Sequence, residues 1–365
     1  MGVLTVKKKI LCLILIGVML LSLTACGGGG KTDTNSNQQP AEPGSEEKQE
    51  QTAESAPEYT LQLGCAYTLN EDTPRAISTK MIKEKLEARS NGKIKVELYP
   101  DSQLGGDREM LESCQAGNIA MVSQTTAPQV AFIPNLAIFD LPHLFDDLDN
   151  AYKVLSGPIK EEIAKEYEKA GFKLLLMAPI DFRVMSSNKP IKTMADFKGI
   201  KIRTMENPVH LASFRAMGAN PSPMPFGELF TALEQNTIDG QENPLTTIYL
   251  QKYYEVQKYC TLTNHFYSPF VTMMSKKFWD GLSPEDQALM KKAALEAGAY
   301  ERQVNRQMMK EMADNLRQAG MTVTELTPEQ AEAFRKKTEG VAAQFEDQIG
   351  KDIIEAVKAE IAKNE

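Results

Sequence analysis

The chain has 365 residues, 42% apolar and 25% charged, with a formal net charge of −8. At roughly 100–200 residues per domain this length suits two domains, and the composition excludes collagen-like, coiled-coil and wholly disordered chains. The acidic balance lacks the basic footprint of nucleic-acid binding, and three His with five Cys leave little for a Cys/His metal cluster.

Lys7, Lys8 and Lys9 precede an apolar run over 10–23. The run is shorter than the roughly 20 residues of a membrane span and predicts a signal peptide over 1–25. Leu23-Thr24-Ala25-Cys26 places small residues ahead of a cysteine, and four glycines follow. The pattern resembles the lipobox of bacterial lipoproteins. That resemblance implies cleavage before Cys26 and a lipid anchor on its thiol, set in a membrane outside the cytoplasm. Residues 26–57 are nearly free of apolar side chains. They read as a lipidated cysteine and a flexible tether reaching roughly 30 Å.

Alternation over 59–64 and 94–98 predicts two strands, and Ile77, Met81, Ile82 and Leu86 predict a helix over 74–90, closed by Asn91-Gly92. A helix over 107–116 and a strand over 119–122 complete a β-α-β-α-β run, the signature of an α/β layer with mostly parallel strands. The pattern then repeats. A helix over 158–170 leads to a buried strand over 172–179, extended chain over 183–187 and a strand over 200–203. Helices over 209–217 and 225–235 follow, with a short strand near Ile238 and a return strand over 271–275. Ser283 as N-cap and Pro284 in the first turn open a helix over 284–319. At 1.5 Å per residue it is about 54 Å long, more than one domain needs. The expected fold is α/β: two lobes sharing one long helix, a clamshell that closes on ligand. Cys65, Cys114 and Cys260 are an odd number, compatible with three free thiols or with one bridge.

Gly218-Ala219-Asn220-Pro221-Ser222-Pro223-Met224-Pro225-Phe226-Gly227-Glu228-Leu229 is followed by Asp239-Gly240-Gln241-Glu242-Asn243-Pro244, and Gln103-Leu104-Gly105-Gly106-Asp107-Arg108 stands upstream. These strings resemble the solute-binding proteins of TRAP transporters, the tripartite periplasmic transporters driven by an ion gradient. The resemblance extends from Tyr59 to about Ile361. It implies a periplasmic-binding-protein-like clamshell with lobe I at 58–180 plus 269–308 and lobe II at 181–268 plus 309–365. It also implies an organic acid ligand, no cofactor or metal, and delivery to large and small membrane permease subunits.

Residue by residue, Arg203 matches the family's carboxylate-clamping arginine, a planar guanidinium with paired donors. Arg183 matches a second cleft arginine, with Asp181 as an alternative ion-pair partner. Asn243 matches a carboxylate-contacting amide, its backbone biased to an extended shape by Pro244. Phe226 matches a pocket aromatic and would serve equally as core. Glu206 is placed to accept from substrate hydroxyls, which favours a sugar acid, with a C4-dicarboxylate as the other option. His265 reads either as a pocket residue or as a satisfied structural histidine. Tyr67, Gln124 and Thr125 are the lobe I residues expected to discriminate substrates. Ala66 stands where some sialic-acid binders carry Asn, which argues against sialic acid. A sensory protein presenting its ligand to a membrane kinase is the alternative function. An enzyme on acidic sugars is disfavoured, since the sequence has no Gly-x-Ser-x-Gly elbow, His-Glu-x-x-His or phosphate loop.

Overall fold

A computed structural model of the chain describes residues 56–69 and 73–364. The signal peptide, Cys26 and nearly all of the tether lie outside the described residues. The chain opens with β1 (Tyr59–Gly64), α1 (Pro74–Arg89), β2 (Ile94–Tyr99), α2 (Asp107–Ala116) and β3 (Met121–Thr125). Helices α3 (Leu148–Ser156) and α4 (Ile159–Lys169) lead into the 16-residue β4 (Phe172–Ser187). A second run follows: β5 (Lys201–Thr204), α5 (Pro208–Ala216), β6 (Asn220–Pro223), α6 (Leu229–Glu234), β7 (Gly240–Asn243) and α7 (Leu245–Leu250). The 17-residue β8 (Tyr259–Ser275) returns across the molecule. The chain ends with α8 (Lys276–Gly281), α9 (Pro284–Gln318), β9 (Thr322–Glu325), α10 (Pro328–Thr338), α11 (Glu346–Ile349) and α12 (Lys351–Asn364).

The strands form one mixed sheet in the order β2-β1-β3-β8-β4-β7-β5-β6, with β9 beside β8. Each lobe's own strands are parallel, β1 with β2 and β3, and β5 with β6 and β7. The pairs β3–β8, β4–β8 and β4–β7 are antiparallel. β4 and β8 each belong to both lobes. Leu174 faces Met273 in one half and Ser186 faces Cys260 in the other, with register shifts at Pro179/Phe182 and Arg183/Met185. The expected segments 172–179, 183–187 and 271–275 are thus pieces of two long crossing strands.

Helix α9 is capped as expected: the Ser283 hydroxyl accepts the Asp286 N–H at 3.1 Å, and Pro284 occupies the first turn. Met290, Ala293, Ala294 and Ala297 bury one stripe against Leu61, Leu63, Ile82, Leu86 and Val96. Further along the same helix, Leu316 packs with Val184, Leu229 and Ile248 in the other lobe. One helix therefore joins both cores. No helix among the described residues is long and apolar enough to cross a membrane.

Two expectations change. The segment 225–235 begins as a single 3-10 turn (Phe226–Glu228) before α6, with Pro225 extended at its N-cap and Gly227 a poor helix former inside it. The end of the chain was expected in lobe II. Instead Val341, Ile349, Ile354 and Val357 bury themselves among Leu136, Val154, Leu155 and Ile159 of the lobe I core. The amphipathic α12 finds its apolar partner there, and Asn135 anchors the turn by donating to the Ile349 carbonyl at 2.9 Å.

Candidate functional site

The carboxyl ends of β1, β3, β5, β6 and β7 converge, and just beyond them lies a cavity. In α/β sheets this is where ligands bind. Ala66 and Tyr67 follow β1, Gln124 and Thr125 end β3, and Met205 follows β5. Phe226 comes after β6, and Asn243 and Pro244 close β7. Ile180 and Arg183 reach the wall from the crossing of β4. Arg75 and Asp107 come from the first turns of α1 and α2.

Arg183 is 1% exposed and Glu242 is fully buried. The Arg183 Nε donates to Glu242 Oε2, and its Nη2 donates to Glu242 Oε1 at 2.9 Å and to Asn243 Oδ1 at 3.2 Å. Burial alone would raise the Glu242 carboxyl, but the Arg183 charge and two neighbouring imidazoles hold it well below the usual carboxylate range. Asp181 is not the partner of Arg183. Its Oδ1 accepts the Phe182 N–H at 2.6 Å, and burial pushes its carboxyl up to about 7.

Arg203 stands one step behind the cavity wall and is 1% exposed. Its Nε and Nη2 both donate to the Met224 carbonyl, at 2.9 and 2.6 Å, while Nη1 is buried with no hydrogen-bond partner. Burial pulls its pKa down. A buried guanidinium nitrogen without an acceptor is costly, so the site has a donor ready for one. The Asn243 Nδ2 donates to Gln241 Oε1 at 2.5 Å, which leaves the second amide hydrogen for another acceptor.

Tyr67 lines the cavity with its hydroxyl on Thr79 Oγ1 at 2.7 Å. In the orientation that satisfies its surroundings, the Gln124 amide nitrogen donates to Asp107 Oδ1 at 3.1 Å. Thr125 Oγ1 lies 3.5 Å from the Met205 sulfur. Phe226 is half-buried on the wall and also packs against two apolar clusters.

Two residues expected near the ligand are elsewhere. Glu206 is exposed and off the wall, although its charge is felt by Asp107. His265 does not line the cavity. Residues 262–265 bulge from β8 around Asn264 (φ 43°), and this sets the His265 Nε2 3.5 Å from Glu242 Oε2, with its Nδ1 2.7 Å from Thr263 Oγ1. It supports the buried ion pair from behind. His210 does the same, 3.7 Å from Glu242 and 2.9 Å from Asp140.

Among the wall residues, Arg75, Asp107, Ile180, Met205 and Thr247 escaped sequence reasoning as ligand contacts. The Arg75 guanidinium lies 5.0 Å from the Tyr67 ring centre, and its Nη2 donates to Thr247 Oγ1 at 3.0 Å. Burial pushes Asp107 up to about 6, against the pull of Arg203 and Arg75. Its place in a Gly-Gly-Asp-Arg string that opens a helix was the available signal. Cys65, Cys114 and Cys260 are all free and buried, which removes the single-bridge option. Burial pushes each thiol up to about 12, so none is a thiolate at neutral pH.

The family described as bacterial extracellular solute-binding protein, family 7 (DctP), matches residues 65–348. The chain belongs to this family. As a TRAP solute-binding protein it is the receptor of a transporter rather than an enzyme. The chain is 35% identical over 292 residues to the 2,3-diketo-L-gulonate-binding periplasmic protein YiaO of Escherichia coli, covering 80% of this chain and 88% of that protein. Among solved structures it is similar to the sugar acid binding protein DctPAm of Advenella mimigardefordensis in complex with galactonate. The TM-score is 0.81 at 36% identity, covering 85% of this chain and 100% of that one. A TRAP periplasmic solute-binding protein of Sulfurospirillum deleyianum with bound succinate gives a TM-score of 0.79 at 34% identity, covering 83% and 99%. The α/β clamshell of TRAP solute-binding proteins, crossed by a long helix, is therefore the fold of this chain.

Proposed function

We propose that this TRAP receptor takes a hydroxylated monocarboxylate, a sugar acid, and passes it to its membrane permease subunits while held to the membrane surface by a lipid on Cys26. The observation that carries the reading is a charge balance. Arg75 and Arg183 line one cavity and Arg203 stands one step behind its wall, with Glu242, Asp107 and Glu301 as the carboxylates acting on them; burial pushes Glu301 up to about 8, so it stays protonated at neutral pH. At neutral pH three cations against two anions leave one positive charge, which a single carboxylate neutralises. Arg203 Nη1, the spare Asn243 amide hydrogen and Arg183 supply donors for that carboxylate. Tyr67, Gln124, Thr125, Thr247 and Asp107 supply the mixed donors and acceptors that hydroxyl groups need. Relatives binding 2,3-diketo-L-gulonate and galactonate support the same class. Cys26 rests on the lipobox string.

Titration calorimetry at pH 7 with erythronate, galactonate and succinate tests the reading. A sugar acid is expected to bind more tightly than succinate, with affinity falling about 100-fold in Arg203→Ala as the charge-assisted hydrogen bond from Nη1 is lost. Succinate binding more tightly would reject the charge balance and assign Arg75 to a second carboxylate. Sugar-acid affinity unchanged in Arg203→Ala would reject the clamp.

A further inference from the structure

Beside the arginine-lined cavity lies a second chamber. Tyr67, Arg75, Ile180 and Thr247 line both, so the two adjoin. The far side of the second chamber is built by the long helix α9, which contributes Glu301 and Asn305. Glu301 is fully buried, and neither of its carboxyl oxygens has a hydrogen-bond partner. Asn305 is 3% exposed; its Nδ2 donates to the Ile180 carbonyl, while its Oδ1 is unpartnered. Three buried polar atoms facing one small chamber without partners are rare in a folded protein. No arginine or amide of the carboxylate clamp hydrogen-bonds to them, although Arg75 and Glu301 feel each other's charge.

We infer that this chamber is a subsite for the terminal hydroxyl end of a long acyclic sugar acid whose carboxylate is held by the arginines next door. The inference rests on the sugar-acid reading and adds chain length to it. The chemistry of the lining fits a hydroxyl. Burial pushes Glu301 up to about 8, so at neutral pH it is a carboxylic acid with one O–H donor and spare acceptor capacity. The Asn305 carbonyl oxygen adds an acceptor. A hydroxyl donates once and accepts, and so satisfies both. A second carboxylate would meet Arg75 on one side but would set its own acceptor oxygens against those of Glu301 and Asn305 on the other. The chamber measures about 10 Å3, the space of one water-sized group, which suits a single terminal hydroxyl rather than a ring or a charged head.

The test compares chain lengths. The purified protein and its Glu301→Met and Glu301→Gln variants are titrated with erythronate, of four carbons, and galactonate, of six. Circular dichroism melting checks that each variant folds. Met keeps the volume of Glu301 and removes its hydrogen bonds; Gln keeps a donor and an acceptor. The expected result is a loss of at least tenfold in galactonate affinity in Glu301→Met, with erythronate within twofold of wild type and galactonate recovered to within threefold in Glu301→Gln. Unchanged galactonate affinity in Glu301→Met overturns the inference, since the chamber then holds only structural water. An equal fall for both acids also overturns it, because the residue then acts through the fold. Wild-type protein that binds neither acid overturns the sugar-acid reading itself, and the subsite with it.

Discussion

Arg183 and Glu242 are each other's counter-ions in a fully buried pair, and two imidazoles back the carboxylate. Such a pair fixes geometry more than it adds stability. Its value is that Arg183 is held at the cavity wall in one orientation, set by Glu242 of the adjacent strand. Glu301 is the opposite case, a buried carboxyl with no cation bonded to it and an elevated pKa. Above its ordinary value of 4.5 the unfolded chain has released this proton, while the folded chain keeps it up to about 8. Unfolding then releases a proton, so stability falls as pH rises through that window and levels off above it. The slope is at most about 1.4 kcal/mol per pH unit for one group. Asp181, raised to about 7, and Asp107, raised to about 6, act in the same direction over lower windows. His143, lowered to about 4 by burial, acts oppositely below 6.5. Between pH 7 and 8 Glu301 acts together with His210, whose imidazole Asp140 and Glu242 hold above its ordinary value against the opposing effect of burial. Urea unfolding across pH 6.5–9 is expected to show stability falling to pH 8 in the wild type. Glu301→Gln, which carries no titrating proton, is expected to reduce the slope and to be the more stable protein at pH 8.5. A wild-type slope retained in the variant would refute this assignment.

At the scale of elements, legibility followed burial. β1, β2, α1, α2 and α9 each present one buried face, so their periodicity placed them within a residue or two of the observed ends. β8 is buried on both faces over most of its length and bulges at 262–265, so it offered no alternation and only its last five residues read as strand. α3 was not anticipated, though Asp147 caps it by accepting the Asn150 N–H at 2.7 Å. The site divided similarly. Arg203, Arg183 and Asn243 were each matched through a short local string that resembles the family's, Asn243 within the motif over 239–244. Arg75 was not, because its partner Thr247 is 172 residues away in sequence and only the folded sheet brings them together. The motif also contains a packing requirement. A Cβ on Gly240 would stand 2.5 Å from the Ser186 carbonyl oxygen and 3.0 Å from the Ser187 Cβ, because β7 runs close against β4. Gly240 is therefore needed for approach rather than for a left-handed backbone. Gly240→Ala must push β7 off β4. It is expected to cost about 1–3 kcal/mol of stability by overpacking, and to weaken acid binding because Asn243 ends the same strand. Thermal melting and calorimetry on one sample read both effects. Normal stability with normal affinity would mean that the strand shifts freely.

For the whole molecule, the cavity wall is assembled from both sides of the crossing. Tyr67, Gln124 and Asp107 come from the first α/β run, and Met205, Phe226 and Asn243 from the second. β4, β8 and α9 run through both halves, and the C-terminal helix α12 adds contacts on the lobe I core. The cavity measures about 30 Å3, room for two or so waters, so an organic acid enters only if its walls part. Both halves also contribute to its charge. Arg75 and Asp107 lie on one side and Arg203 and Asn243 on the other, with Arg183 at the crossing. An anion placed between them relieves mutual repulsion among the guanidiniums only when the two sides are together. Its affinity for the closed arrangement therefore exceeds that for an open one, and this difference drives closure. Small-angle X-ray scattering is expected to show a smaller radius of gyration on addition of a saturating sugar acid. Arg203→Ala, given enough acid to saturate it, is expected to close less, because the missing cation removes part of the differential affinity while β4, β8 and α9 stay intact. An identical contraction in both proteins would place the driving force in apolar contacts across the cleft, with Phe226 and Met205 as the residues to change next.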